Sequence, residues 1–243
     1  MKKLTKILGI ILMVTLAFNL NAQTTKQEQK ENKAQQKQQK EVKSDLYKRS
    51  GKDAQKEAKR LQKEGWKTMG IPIEKQLEDA WMKQYEKDPS GYPRYIVVTN
   101  QAVANTISAC QMQLENLAKV RIAGMIQTNV ASLADLSLAN EEISQKEAAS
   151  ITKAIENSKN IVAQKLGRVV KVLEIYRQKG GDNVEMRIAM VYDMKAALQL
   201  AKQVIIEELK NDLEVNKAQL EKMMGMDNLM ENSKKIIPDE IVE

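Results

Sequence analysis

Few residues of this chain could carry out catalysis, and their types narrow the chemistry open to it. The 243 residues include no histidine and a single cysteine, Cys110. Without histidine there is no Ser-His-Asp or Cys-His catalytic set, and the imidazole ligands common in zinc sites are missing. One cysteine excludes thiolate clusters and Cys-x-x-Cys redox chemistry. Gly65 and Gly70 have the outer spacing of a phosphate-binding loop, but Ile71 stands where that loop requires lysine.

Two patterns of polar residues come nearer to catalytic chemistry. Ser150-x-x-Lys153 has the spacing of serine acyltransferases, in which the lysine can activate the hydroxyl. Two pairs of adjacent carboxylates could do acid–base work on a glycan. These pairs are Glu141 with Glu142 and Glu207 with Glu208. The motifs that accompany Ser-x-x-Lys are missing, and both patterns are common on solvated helix surfaces. We therefore predict that the protein is not an enzyme and has no catalytic, cofactor-binding or metal-binding residue.

Four aromatic residues lie close together in sequence, in a chain whose aromatic content is only 4%. They are Trp66, Trp81, Tyr92 and Tyr95. Large amphipathic rings are typical of binding surfaces, and the same rings also pack in cores and at sheet edges. We predict this group as a candidate interaction surface, with core packing as the alternative.

The elements that must position these residues follow from apolar spacing and turn signals. In chain order we predict a helix over 45–64, a short strand over 65–70, a helix over 73–86, a strand over 94–99, a helix over 101–130, a helix from 144, strands over 169–176 and 184–192, and a helix over 195–224. The fold class is therefore α+β, with an antiparallel sheet of about four strands covered on one face by long helices. A single domain is expected over residues 45–224.

Three local signals support this order. Ser144-x-x-Glu147 is a capping box that begins a helix. Gly180-Gly181 lies between two strand patterns and predicts a hairpin. In the second strand Met186, Ile188 and Met190 alternate with polar residues, which predicts one buried face. Cys110 falls on the apolar side of a helical pattern, so we expect a buried thiol rather than an intermolecular bridge.

The N-terminal residues have the features of an export signal. Lys2, Lys3 and Lys6 precede an apolar run over 7–18, and Ala22 and Gln23 form a plausible cleavage point. The alternative is a membrane anchor, but a spanning helix needs about 20 apolar residues and this run is shorter. No cysteine follows the run, so it offers no lipidation site there. We predict a cleaved signal peptide over 1–22 and a mature protein that begins at Gln23.

Charge is distributed unevenly along the chain. Residues 23–63 hold 13 lysines and arginines against 6 acidic residues, whereas residues 64–243 hold 23 against 26. Residues 23–44 are rich in glutamine and lysine with few apolar side chains, which predicts a disordered basic arm. The arm is either a solvated linker or a binder of anionic lipid or polysaccharide. From residue 225 on, we predict a flexible acidic tail.

One family resemblance rests on the layout from Tyr95 to Leu209. A strand that contains Tyr95-Ile96-Val97-Val98 leads into an alanine-rich helix with Leu117-Ala118-Lys119-Val120, and a later hairpin turns at Gly180-Gly181. This layout resembles the small envelope lipoprotein family typified by a conserved Helicobacter surface lipoprotein. It is also similar to periplasmic domains of flagellar-assembly and curli-secretion proteins. The resemblance implies an α+β envelope protein without established catalytic residues.

These observations leave two classes of function open. The first is a non-catalytic exported cell-envelope protein that binds an envelope protein, an anionic envelope surface or a second copy of itself. The second is a periplasmic holdase-type chaperone for outer-membrane proteins, which the long helices, the basic arm and the 13 methionines would suit. Either would be periplasmic or outer-membrane-associated in a diderm bacterium, with no nucleic-acid partner and no membrane span after signal removal.

Overall fold

The computed structural model describes residues 51–236, which belong to one compact unit over Arg49–Glu243. The predicted signal peptide over 1–22, its cleavage point at Ala22 and Gln23, and the arm over 23–44 lie outside the described residues, as does the end of the predicted acidic tail. Between residues 51 and 236, no helix has both the length and the apolar character needed to cross a bilayer.

Seven helices and three strands make up the described chain. Helix α1 covers residues 51–63, and the later elements are α2 (Ile73–Tyr85), β1 (Tyr95–Ala104), α3 (Ile107–Ala139), α4 (Gln145–Lys165), β2 (Val170–Gln178), β3 (Val184–Asp193), α5 (Met194–Glu208), α6 (Lys217–Met223) and α7 (Met226–Ser233). The predicted α+β class is confirmed. The β2–β3 hairpin and the capping box that begins α4 at Ser144 are also present.

The sheet is antiparallel, with the strand order β1-β3-β2. It has three strands rather than about four, because the predicted strand over 65–70 makes a single β-bridge, between Lys67 and Tyr176. Beyond this bridge the chain turns away from the sheet. The Gln76 side chain holds the turn by donating hydrogen bonds to Thr68 Oγ1 at 2.7 Å and to the Ile71 carbonyl at 2.6 Å.

Helices cover both faces of the sheet, whereas the alternation in β3 predicted one covered face. Met186, Ile188 and Met190 are buried as predicted, in a core built with α3, α4, α5, α6 and α7. On the opposite face, Ala189 and Val191 are buried in a second core with α1 and α2. The difference arises because β3 carries apolar side chains on both faces and α1 and α2 pack on the second face.

The C-terminal part of the chain is more ordered than its pattern predicts. The helix predicted over 195–224 is divided, because α5 ends at Glu208 and the Asn216 side chain caps a new helix by accepting from the Ala218 amide at 3.1 Å. The predicted flexible tail from residue 225 is corrected for residues 226–233. These residues form α7, with Leu229 buried in the first core.

The sulfur of Cys110 lies in the first core, as its helical position predicts. Its Sγ approaches the Val184 carbonyl at 3.4 Å. Burial raises the pKa of the thiol, which keeps it in the less reactive protonated form.

At each edge of the sheet, a side chain forms a hydrogen bond with a backbone group of the edge strand. At the β1 edge, Arg121 Nη1 donates to the Thr99 carbonyl at 2.6 Å. At the β2 edge, the Glu174 amide donates to Gln76 Oε1 at 2.7 Å, near the bridge to Lys67. Occupied edges are poor templates for uncontrolled strand pairing.

Ile188→Asp tests the position of the first core. We expect this change to lower the unfolding free energy by about 2–5 kcal/mol, because it empties a buried site and introduces an uncompensated charge. Ile188→Val is the matched control, with an expected loss of about 0.5–1.5 kcal/mol. Urea unfolding measures both variants. Equal, small losses would mean that this face of β3 is not packed.

Candidate functional site

The second face of the sheet changes from apolar to charged along its length. Val97, Leu173, Ile175, Ala189 and Val191 are buried beneath α1 and α2. Towards the hairpin turn, the same face carries polar and charged side chains. We call these residues, with Arg60 of α1 and Trp66 just after that helix, the arginine patch. Its members are Arg60, Trp66, Gln101, Arg177, Lys179, Glu185 and Arg187. Gln101 is exposed, and Arg177 and Arg187 are half-buried, so this half of the face reaches solvent.

Strand register brings the polar side chains of the patch together. Gln101 on β1 pairs with Arg187 on β3, and Glu185 on β3 pairs with Arg177 on β2. Opposed residues in antiparallel strands have neighbouring side chains on one face. Lys179 follows β2 directly, in the turn where Gly180 and Gly181 both have positive φ, a conformation that glycine adopts at low cost.

Trp66 is the aromatic base of the patch. It is 2% exposed, and its amide donates to the Leu61 carbonyl at 3.0 Å at the end of α1. The Arg177 and Arg187 guanidinium carbons lie 4.5 and 5.2 Å from the centre of its ring. A cation over an indole face is attracted by the ring quadrupole, by about 0.5–2 kcal/mol. Trp66 therefore helps to fix the positions of both guanidinium groups.

Glu185 is a buried carboxylate, 3% exposed, with three donors around it. Arg177 Nε donates to Oε2 at 2.6 Å, while Gln101 Nε2 and Lys179 Nζ donate to Oε1 at 2.6 and 3.2 Å. Burial acts to raise the pKa of Glu185, but the hydrogen bonds and charges of Arg177 and Lys179 outweigh it and hold that pKa below its ordinary value. Glu185 is therefore ionised at neutral pH and forms ion pairs with two cations of the patch, Arg177 and Lys179.

Arg187 differs from its neighbours in having no acidic partner. Its Nε and Nη2 donate to Gln101 Oε1 at 3.2 and 3.1 Å. Within residues 51–236, no carboxylate lies at ion-pair distance from Arg187, and its Nη1 donates to no protein acceptor. Burial, followed by the positive charges of Arg60 and Arg177, lowers the pKa of Arg187. Arginine nevertheless stays protonated at neutral pH, so a cation with an open hydrogen-bonding edge remains.

The structure places three of the four predicted aromatic residues in one layer. Trp66 is buried in the second core, at the base of the patch, and Trp81 and Tyr95 pack against the same core. Tyr92 packs against the first core instead, with Lys234 Nζ 4.8 Å from its ring centre. Sequence reasoning missed the arginines, although the alternation of Glu185 and Arg187 with Met186 and Ile188 is visible in the β3 pattern.

The other residues considered for chemistry lie on helix surfaces and turns. Ser150 and Lys153 are on α4, with Lys153 exposed, and Glu141 and Glu142 lie in the exposed turn after α3. Glu207 pairs with Lys210 at 3.3 Å on the surface. In the part of the chain that the structure describes, no group of three or more acidic, cysteine or histidine residues is arranged to hold a metal ion.

Comparison of the chain with protein-family models, curated proteins and solved structures finds no match. The inference of function therefore rests on the geometry of the arginine patch.

Glu185→Gln tests the electrostatics of the patch. A folded-state pKa below the ordinary value of 4.5 means that ionised Glu185 stabilises the fold above that pH and that this contribution is lost as the pH falls through the lowered pKa. We expect the variant to lose about 1–3 kcal/mol at pH 7 and to show a weaker fall in stability below pH 4.5.

Urea unfolding from pH 7 downward measures this effect. The matched control is Glu207→Gln, whose exposed carboxylate should change stability by less than about 0.5 kcal/mol. If the two variants gave the same pH profile, Glu185 would not be the paired buried carboxylate described above.

Proposed function

We propose that the protein is a non-catalytic exported cell-envelope protein that binds its partner through the arginine patch. The observation that carries this proposal is Arg187, a half-buried guanidinium on the central strand whose Nη1 finds no acceptor within residues 51–236. A partly buried charge without an ionic partner costs stability, and a cost of this kind is typical of functional sites. An anionic group on a partner would supply the missing acceptor.

Two sequence features support an envelope location. The N-terminal pattern of Lys2, Lys3 and Lys6 followed by an apolar run is typical of an export signal. The layout from Tyr95 to Leu209 resembles envelope lipoproteins that are not known as enzymes. The partner is then an envelope protein or an anionic envelope surface.

The patch and the basic arm over 23–44 are two separate candidates for contact with this partner. An exposed, lysine-rich segment acts through long-range charge, which salt screens over about 10 Å at 0.1 M. A guanidinium fork held in place acts through short hydrogen bonds, which are screened less. Salt dependence therefore distinguishes the two surfaces.

The test compares partner capture from cross-linked envelope fractions by the full mature protein and three variants. Arg187→Gln should abolish most capture at both low and high salt. Deletion of residues 23–44 should reduce capture only at low salt. The matched control is Arg168→Gln, an exposed arginine in the loop between α4 and β2, and it should capture as the unchanged protein does.

Three results would contradict the proposal. Capture that is unaffected by Arg187→Gln would remove the patch as the binding surface. Turnover of peptidoglycan or peptide substrates that is lost with Ser150→Ala or Lys153→Ala would make the protein an enzyme. Protection of an unfolded outer-membrane protein from aggregation, unchanged by the charge variants, would favour the chaperone function.

A further inference from the structure

We infer that Arg187 is the contact residue of the arginine patch and that it binds one carboxylate of an acidic polypeptide. This inference rests on the proposed function and deepens it by assigning the chemical class of the partner.

The charge balance of the patch leaves room for one negative charge. Arg60 is paired with Glu57 and Glu64, at 2.5 and 2.6 Å. Arg177 and Lys179 share Glu185, at 2.6 and 3.2 Å. The cations are Arg60, Arg177, Lys179 and Arg187, and the carboxylates are Glu57, Glu64 and Glu185. Over the described residues of the patch the surplus is a single positive charge, and Arg187 is the member that has no carboxylate at ion-pair distance.

The orientation of Arg187 leaves a two-pronged donor free. Gln101 Oε1 accepts from Nε and Nη2, which together form the side edge of the guanidinium. The remaining end of the group carries the N–H bonds of Nη1 and the second N–H of Nη2. Two parallel N–H donors match the two oxygens of a carboxylate, and this bidentate pairing is what distinguishes arginine from lysine.

A single open charge favours a polypeptide over a lipid or polyphosphate surface. A phosphorylated or lipid surface presents many charges and is bound by several free cations together, but the other cations of the patch are already paired. Exposed Val103, 48% accessible, pairs in register with Glu185 beside this site and offers an apolar contact. A polypeptide segment supplies both a carboxylate and an apolar neighbour.

Trp66 provides a built-in reporter for the experiment. The chain has two tryptophans, so Trp81→Phe leaves Trp66 as the sole one, directly beneath Arg177 and Arg187. An end-blocked Ala-Leu-Glu-Leu-Ala peptide, which has one carboxylate between apolar side chains, is titrated into the full mature chain carrying Trp81→Phe, with tryptophan fluorescence and calorimetry as readouts. Two further arms use inorganic phosphate and vesicles that contain phosphatidylglycerol.

We expect saturable binding of the peptide, with a change in Trp66 fluorescence. Arg187→Lys keeps the charge but removes the fork, and it should weaken peptide binding by about tenfold to a hundredfold. Arg168→Lys is the matched control and should leave the affinity unchanged. The basic arm is present in every variant, so any loss specific to Arg187→Lys belongs to the patch. Urea unfolding confirms that this conservative variant is folded.

Equal peptide affinity in the two lysine variants, or binding of phosphate or vesicles in preference to the peptide, would overturn the inference. The two proposals fail separately. If envelope capture requires Arg187 while the glutamate peptide does not bind, the proposed function stands and the carboxylate assignment is wrong. If the glutamate peptide binds through Arg187 while capture is independent of Arg187, the carboxylate assignment stands and the proposed function is wrong.

Discussion

The burial of β3 on both faces is the constraint on which the rest of the structure depends. The side chains of β3 alternate between the two faces of the sheet, and apolar residues stand on both, so each face is covered by its own set of helices. Long helices α3, α4 and α5 cover Met186, Ile188 and Met190, and the shorter pair α1 and α2 covers Ala189 and Val191. The layer formed by α1 and α2 ends before the hairpin turn, so Glu185 and Arg187 of β3 lie at the margin of that layer.

Charges on a central strand must be compensated locally, because desolvation of an ion costs several kcal/mol when no partner replaces water. Glu185 meets this requirement through Arg177, Lys179 and Gln101. Arg187 meets it only in part, through a neutral amide and an aromatic ring. Glu185 and Arg187 lie on one face of one strand, but Glu185 belongs to a structural ion pair, whereas Arg187 is a candidate binding group.

Trp66 links this electrostatic arrangement to the packing of α1. Trp66 follows the two turn residues Glu64 and Gly65 that end that helix, and the next residue, Lys67, bridges to Tyr176 on β2. Its ring therefore belongs to the second core and to the arginine patch at once. Displacement of α1 would remove the aromatic base beneath Arg177 and Arg187, so the stability of this helix and the geometry of the patch are coupled.

Features that depend on neighbours in sequence were predictable from the sequence alone. The Ser144 capping box acts over three residues, the Gly180-Gly181 turn joins adjacent strands, and the burial of Cys110 and Ile188 follows from helix and strand periodicity. In each case the determining interaction is local, or the pattern repeats often enough to define a face. The α+β class follows from the same signals.

Only the tertiary structure decided which faces were covered and which charges met. The central place of β3 results from pairing with β1, and Arg187 and Gln101 are 86 positions apart. Trp66 and Tyr92, close in sequence, pack in different cores on opposite faces of the sheet, with only α2 and the turn after it between them. Contacts at such separations depend on strand order and register, which periodicity does not encode. The arginine patch is a product of that register.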